Sequence, residues 1–272
     1  MKTIVWGFIF VLLIASCKNN KTSDPVALEM TDSLEKTSDS LESDSILNPP
    51  KAADGLFDDF IYSYMRIPRF QLERTVFPLP NIIDGKKQTI EKSDWIFDHL
   101  YVKQDVYTVI FDNTKSMKAE KDTSLHHVVV EWVYLNKKRV KQYVFDKLGG
   151  QWKLTSLQQH GFSENVNNDF YVFYSRFSTD KRYQMSHISN PFHFKTYDFD
   201  QFQNIEGLLD VNQWPDYRPN LPSGTITNIN YGQTYGNKNR RVLVVCSQSG
   251  GMGCSLTFVR KGKSWMLERL EN

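Results

Sequence analysis

The chain repeats itself, so whatever it folds into must be built twice from one plan. At an offset of 110 residues, Asp59, Phe60, Tyr64 and Arg66 meet Asp169, Phe170, Tyr174 and Arg176. A three-residue insertion then moves the offset to 113, where Phe70, Gln71, Leu72 and Pro78 meet Tyr183, Gln184, Met185 and Pro191. The same 113 holds far downstream: Phe145, Gly149, Trp152, Leu154 and Leu157 meet Phe258, Gly262, Trp265, Leu267 and Leu270. A constant offset over such separations marks an internal duplication. The boundary falls near Gly161, giving halves of residues 54–160 and 161–272.

Each half reads in the same order. Leu56, Phe57, Phe60, Ile61, Tyr64 and Met65 share one face of a predicted helix with Asp54 as its N-cap. Val166, Phe170, Phe173 and Phe177 do the same with Ser163 as cap. A proline break follows at Pro78 or Pro191, then a short helix around Trp95-Ile96-Phe97 or over Phe199–Leu209. Strands close each half: 106–111, 127–135, 140–147 and 152–157, then 225–230, 241–247, 255–260 and 265–270. An aromatic share of 14% suits strand-rich structure. Helices followed by a run of antiparallel strands is an α+β pattern.

That order resembles the nuclear-transport-factor-2-like (cystatin-like) cone, in which a curved antiparallel sheet wraps its helices. Phe70-Gln71-Leu72-Glu73-Arg74 leading to Phe77-Pro78 is similar to the signature region of an uncharacterised Bacteroidetes lipoprotein family built from two such cones in tandem. The motifs are packing motifs, so the resemblance implies a fold and no reaction. Asn190-Pro191-Phe192 departs from the pattern in the second half, which implies a different mouth for that cone.

The N-terminus supplies an address. After Lys2, residues 3–15 are almost wholly apolar, too short for a membrane span of roughly 20 residues and suited to a signal peptide over residues 1–16. Ile14-Ala15-Ser16-Cys17 resembles the lipobox of bacterial lipoproteins, which implies cleavage before Cys17, palmitate-type acylation of its thiol and attachment to a lipid membrane. Residues 18–53 carry four Lys against seven Asp and Glu and few apolar side chains, a composition read as a disordered acidic tether. Lys18-Asn19-Asn20 lacks the acidic cluster associated with surface export, which points to the periplasmic side of the outer membrane. Ser33, Ser40 and Ser45 each sit in an Asp-Ser-aliphatic triplet that looks like an O-glycosylation signal of exported Bacteroidetes proteins.

The candidates for chemistry are sparse. A net charge of +2 leaves no footprint for nucleic acid. Cys246 and Cys254 lie symmetrically about Gly250; as hairpin partners outside the cytoplasm they are expected to form a structural disulfide, with a free buried pair as the alternative. The six His are scattered, and neither a C-x-x-C nor an H-E-x-x-H pattern occurs, so no metal or other cofactor is called for. Enzymes of the cone fold set a carboxylate, His or Tyr in an apolar pocket; Asp94, Asp98, His99, Asp216 and Tyr217 are the residues that suit the role here, and their spacing reads equally as surface. Three prolines stiffen the segment 213–222, where Trp214 and Tyr217 offer faces for a sugar or other flat ligand.

The reading that results is a non-enzymatic envelope lipoprotein that binds a small molecule, a glycan or a protein partner. Its first pocket is assigned to Tyr64, Trp95 and Trp132, and its second to Tyr174, Trp214 and Tyr217. The alternatives are an isomerase, dehydratase or hydrolase by analogy of fold, and a structural spacer. The anchor has a direct check: labelling with a palmitate precursor marks the wild type, and Cys17→Ser abolishes the label and releases the protein from membranes.

Overall fold

The computed structural model describes residues 54–248 and 253–272. The expected signal peptide (1–16), Cys17, the expected tether with Ser33, Ser40 and Ser45, and residues 249–252 lie outside the described residues.

Two short helices open each half: α1 (Phe57–Tyr64) and α2 (Pro68–Glu73), then α3 (Asn168–Phe177) and α4 (Lys181–Ser186). The first half continues with β1 (Leu79–Ile83), β2 (Lys86–Ile90), β3 (Val106–Phe111), β4 (His127–Tyr134), β5 (Arg139–Leu148) and β6 (Gln151–Gly161). The second has β7 (Ile188–Asp198), β8 (Gln203–Leu209), a one-turn helix α5 (Trp214–Tyr217), β9 (Thr225–Asn230), β10 (Arg240–Ser247), β11 (Cys254–Lys261) and β12 (Ser264–Glu271). The expected α+β class holds. Each sheet is mixed, however, because β1 runs parallel to β6 and β7 parallel to β12.

Three local expectations fail for identifiable reasons. No helix forms at Trp95: a 3-10 turn covers Lys92–Asp94, the chain then extends, and Ile96 is 84% exposed. Residues 199–209 carry apolar side chains at helical spacing, yet Phe202 and Leu208 are exposed and the segment forms β8 along the free edge of β7. Tertiary pairing overrides a period that buries nothing. Asp54 does not cap α1, whose N-cap is Leu56; its carboxylate instead receives Arg74 at 2.7 and 2.9 Å and the Trp152 amide at 2.9 Å. Ser163 lies in a 3-10 turn, and α3 starts only at Asn168.

The repeat itself is closer than the sequence suggests. Phe57 meets Phe145 at 5.4 Å and 64°, and Phe170 meets Phe258 at 5.4 Å and 64°. Tyr64 and Phe177 meet the same two rings at 5.2 Å and 89°. Phe170 therefore corresponds to Phe57, and the helices follow the 113-residue offset of the strands with no insertion between them. The 110-residue alignment slips by three residues, nearly one helical turn, which again sets Phe on Phe; only packing separates the two.

The sheets do not divide at Gly161. One runs β2-β1-β6-β5-β4-β9 and the other β8-β7-β12-β11-β10-β3, so each half lends one strand to its neighbour. The loaned strands cross at Thr108 and Thr227. Each threonine's amide donates to the other's hydroxyl, at 2.7 and 3.0 Å, and each hydroxyl donates to the other's carbonyl. Beside them Glu131 of β4 is buried and accepts four hydrogen bonds, from Gln142, Asn165, Tyr171 and Asn228, at 2.8–3.0 Å. Three of these donors belong to the second half. Both apolar cores are correspondingly shared: Ile229, Tyr231 and Val242 pack into the first, and Ile110, Val133 and Val140 into the second.

Because the sheets interlock, unfolding in urea followed by far-UV circular dichroism and by tryptophan fluorescence is expected to give one coincident transition. Phe145→Ala and Phe258→Ala should each lower stability by about 3–5 kcal/mol. A fragment of residues 54–160, lacking β9 and carrying β3 unpaired, should show no cooperative transition.

Candidate functional site

The mouth of the first cone is shaped by one glutamine. Gln71 on α2 is fully buried, and its amide is saturated. Its Nε2 donates to the Tyr64 carbonyl at 2.9 Å and the Asp98 carbonyl at 2.7 Å; its Oε1 accepts from the Trp95 indole at 3.2 Å and the Asp98 amide at 2.8 Å. These bonds hold residues 95–98 as an extended rim, since breaking any of them strands a buried polar group. Phe77 packs edge-on against Trp95 at 5.9 Å.

Below the rim lies a recess of about 480 Å³, walled by Ile90, Trp95 and Leu157 and edged by Asp98, His99 and Lys141. Asp98 Oδ1 accepts the Leu100 amide at 2.8 Å; Oδ2 accepts the Tyr143 hydroxyl at 2.5 Å and the Lys141 ammonium at 3.2 Å. Burial alone raises the Asp98 pKa, but the charge of Lys141 and the hydrogen bonds from Tyr143 and Leu100 outweigh it and hold the carboxyl below its ordinary range. Asp98 is thus a fixed negative charge. Burial first, and then Asp98, push the Tyr143 phenol far up, so it stays a donor.

The second half repeats the clamp and closes the mouth. Gln184 donates to the Phe177 carbonyl at 2.9 Å and accepts the Trp214 indole at 2.8 Å. Here the tryptophan is 1% exposed and packed against Phe177 and Phe192.

Of the six residues assigned to pockets, Trp95 alone lines this recess. Tyr64 is buried with its hydroxyl 2.8 Å from that of Thr75, and Tyr174 is buried with its hydroxyl on the Pro222 carbonyl at 3.0 Å. Both are core residues, and Trp214 is a plug rather than a lip. Tyr217 is partly exposed and lies on Phe194 at 4.8 Å; Trp132 is half-buried and stacks on Tyr134 at 6.3 Å. Lys141 carried no local sequence signal, whereas Asp94, Asp98 and His99, read as suited to a pocket or equally to the surface, all line the recess. The recurrence of Gln71 as Gln184 amid apolar residues was the available clue to the clamp.

Cys246 and Cys254 are free thiols, correcting the expected disulfide. The ladder pairs Val245 with Cys254, one residue off the register that is symmetric about Gly250. A one-residue slip sends the two side chains to opposite faces of the sheet. Burial pushes each thiol up to about 11.

This architecture is the NTF2-like α+β fold. A crystal structure of an NTF2-like protein from Bacteroides fragilis NCTC 9343 is similar to it, with 38% identity, a TM-score of 0.75, and coverage of 82% of this chain and 98% of that one. Residues 37–272 match the family model described as a domain of unknown function, DUF4348, and the chain belongs to that family. No curated protein matches it.

The depressed pKa of Asp98 gives a pH test. Its ionised form is favoured in the fold, so the stabilisation is complete above the ordinary value of 3.8 and is lost as pH falls through the lower folded value. Asp98→Asn should therefore unfold at lower urea than wild type at pH 7, with the gap closing as the pH is taken down past 3.8 and through the lower folded value.

Proposed function

We propose that this DUF4348 protein is a ligand-binding module of the bacterial envelope, acylated at Cys17 and held by residues 18–53 at the periplasmic face of the outer membrane. The observation that carries the reading is the contrast between the two mouths. One clamp geometry is used twice, yet the second mouth is filled by Trp214 while the first stays open over about 480 Å³. A recess with an apolar floor and a few convergent polar groups suits a small ligand.

The chemistry favours a sugar. Trp95 supplies a flat face for the apolar side of a pyranose. Lys141 and His99 supply polar contacts at the edge, and Asp98 has one acceptor direction left after its three donors. Its carboxyl is held ionised by neighbours that also occupy it, which suits recognition of a hydroxyl better than proton shuttling.

Titration of the full-length protein with N-acetylglucosamine and its β-1,4-linked disaccharide tests this. The melting temperature is expected to rise with sugar concentration and tryptophan fluorescence to change in step. Trp95→Leu and Lys141→Met should remove both effects. A melting temperature that ignores both sugars, or variants that respond like wild type, would overturn the reading.

A further inference from the structure

A second recess lies on the seam where the halves exchange strands. It measures about 180 Å³ and is walled by Asp58, Tyr62 and Arg66 from the region of α1, by Tyr101 and Tyr107 on the approach to β3 and in it, and by Tyr231 just after β9. Tyr231 donates to Asp58 Oδ1 at 2.7 Å, and Tyr101 stacks on Tyr107 at 5.1 Å and 28°. The Arg66 guanidinium sits 3.7 Å above the Tyr62 ring and donates to the Tyr62 carbonyl at 3.2 Å. Gln248 donates to the Tyr101 carbonyl at 2.8 Å, which ties the end of β10 to the same wall.

Two features set this cluster apart from the packing repeat. Among the described residues, neither Asp58 nor Arg66 takes part in an ion pair. Nor does the fold require these side chains, because the other half builds the same elements without them. At the 113-residue offset Asp58 corresponds to Tyr171 and Arg66 to Thr179. Tyr107, which precedes Thr108, corresponds to Ile226, which precedes Thr227.

We propose that the seam recess binds a small zwitterion of dipeptide size, its ammonium group on Asp58 within the tyrosine walls and its carboxylate on Arg66. Eight residues of helical rise set the two Cα atoms roughly 12 Å apart, and the side chains shorten that gap. The ends of an extended dipeptide lie about 7 Å apart, a length that fits within that span. Burial raises the carboxyl of Asp58, as does the charge of Asp59, against the pull of the Tyr231 hydrogen bond; burial and then Asp58 raise nearby Glu120. Glu120 has the charge of Lys121 beside it, whereas an arriving ammonium would give Asp58 the ion-pair partner it does not have among the described residues.

Isothermal titration of the full-length protein with L-alanyl-L-alanine, its N-acetyl and C-amide derivatives, and free L-alanine decides the matter. The dipeptide is expected to bind, and blocking either end should abolish binding. Asp58→Asn and Arg66→Met should each weaken it by about tenfold or more, as loss of a charge-assisted contact does. Trp95→Leu should leave it unchanged, which separates this site from the cone mouth. Free alanine binding as tightly as the dipeptide would overturn the proposal, because its charged ends are too close together to reach both Asp58 and Arg66. The proposal fails if no heat appears up to about 10 mM dipeptide, if a blocked dipeptide binds equally, or if Arg66→Met, at a partly exposed position past the end of α1, binds like wild type.

Discussion

The reciprocal hydrogen bonding of Thr108 and Thr227 is the constraint on which the rest of the molecule hangs. Two strands that cross there and continue into opposite sheets leave neither half able to complete its sheet alone. The exchange carries apolar side chains with it, so each core contains residues from the other half. Glu131 makes the junction one-sided. A buried carboxylate is tolerated only when its acceptor capacity is filled, and four donors fill it here. Its counterpart at the 113-residue offset is Val244, so this polar knot exists once.

The same logic of shared scaffold and divergent detail governs the two mouths. Gln71 and Gln184 perform one task, bonding a helix-end carbonyl and a tryptophan indole. What differs is where the tryptophan goes. Trp95 follows a 3-10 turn in an extended stretch and stays half-buried at the rim, whereas Trp214 opens the one-turn helix α5 and is driven inward against Phe192. One duplicated unit thus gives an open recess and a closed one. Residues free of the packing plan, such as Asp58 and Arg66, stand out against the copy that lacks them.

Much of the fold was legible because burial leaves a periodic trace. Phe145, Trp152, Leu154 and Leu157 recur as Phe258, Trp265, Leu267 and Leu270, and all eight are core. Strands Val106–Phe111 and Thr225–Asn230 fall where alternation and β-branched content place them. β2, with the sequence Lys-Lys-Gln-Thr-Ile, left no such trace, since it is a largely exposed edge strand with nothing to alternate. Its one local signal was the turn before it, where Asp84 and Gly85 take φ of 49° and 75° as a two-residue hairpin requires. Of the site, the aromatic Trp95 was readable; Lys141 was not, because its meaning arises only where β5 passes under the Asp98 rim.

The linear order of residues determined that one unit occurs twice, that it is α+β, and which aliphatic and phenylalanine side chains recur in its cores, because those properties follow from local periodicity and from a repeat visible at fixed offset; that Tyr64, Tyr174 and Trp214 join those cores was decided by packing. The tertiary structure alone decided the helix register, the free state of Cys246 and Cys254, the exchange of β3 and β9, and which mouth stays open. A three-residue slip along a helix or a one-residue slip along a strand barely changes a hydrophobic pattern, yet it changes which atoms touch. Contacts between residues more than a hundred positions apart, such as Thr108 with Thr227, are written in no local stretch of chain.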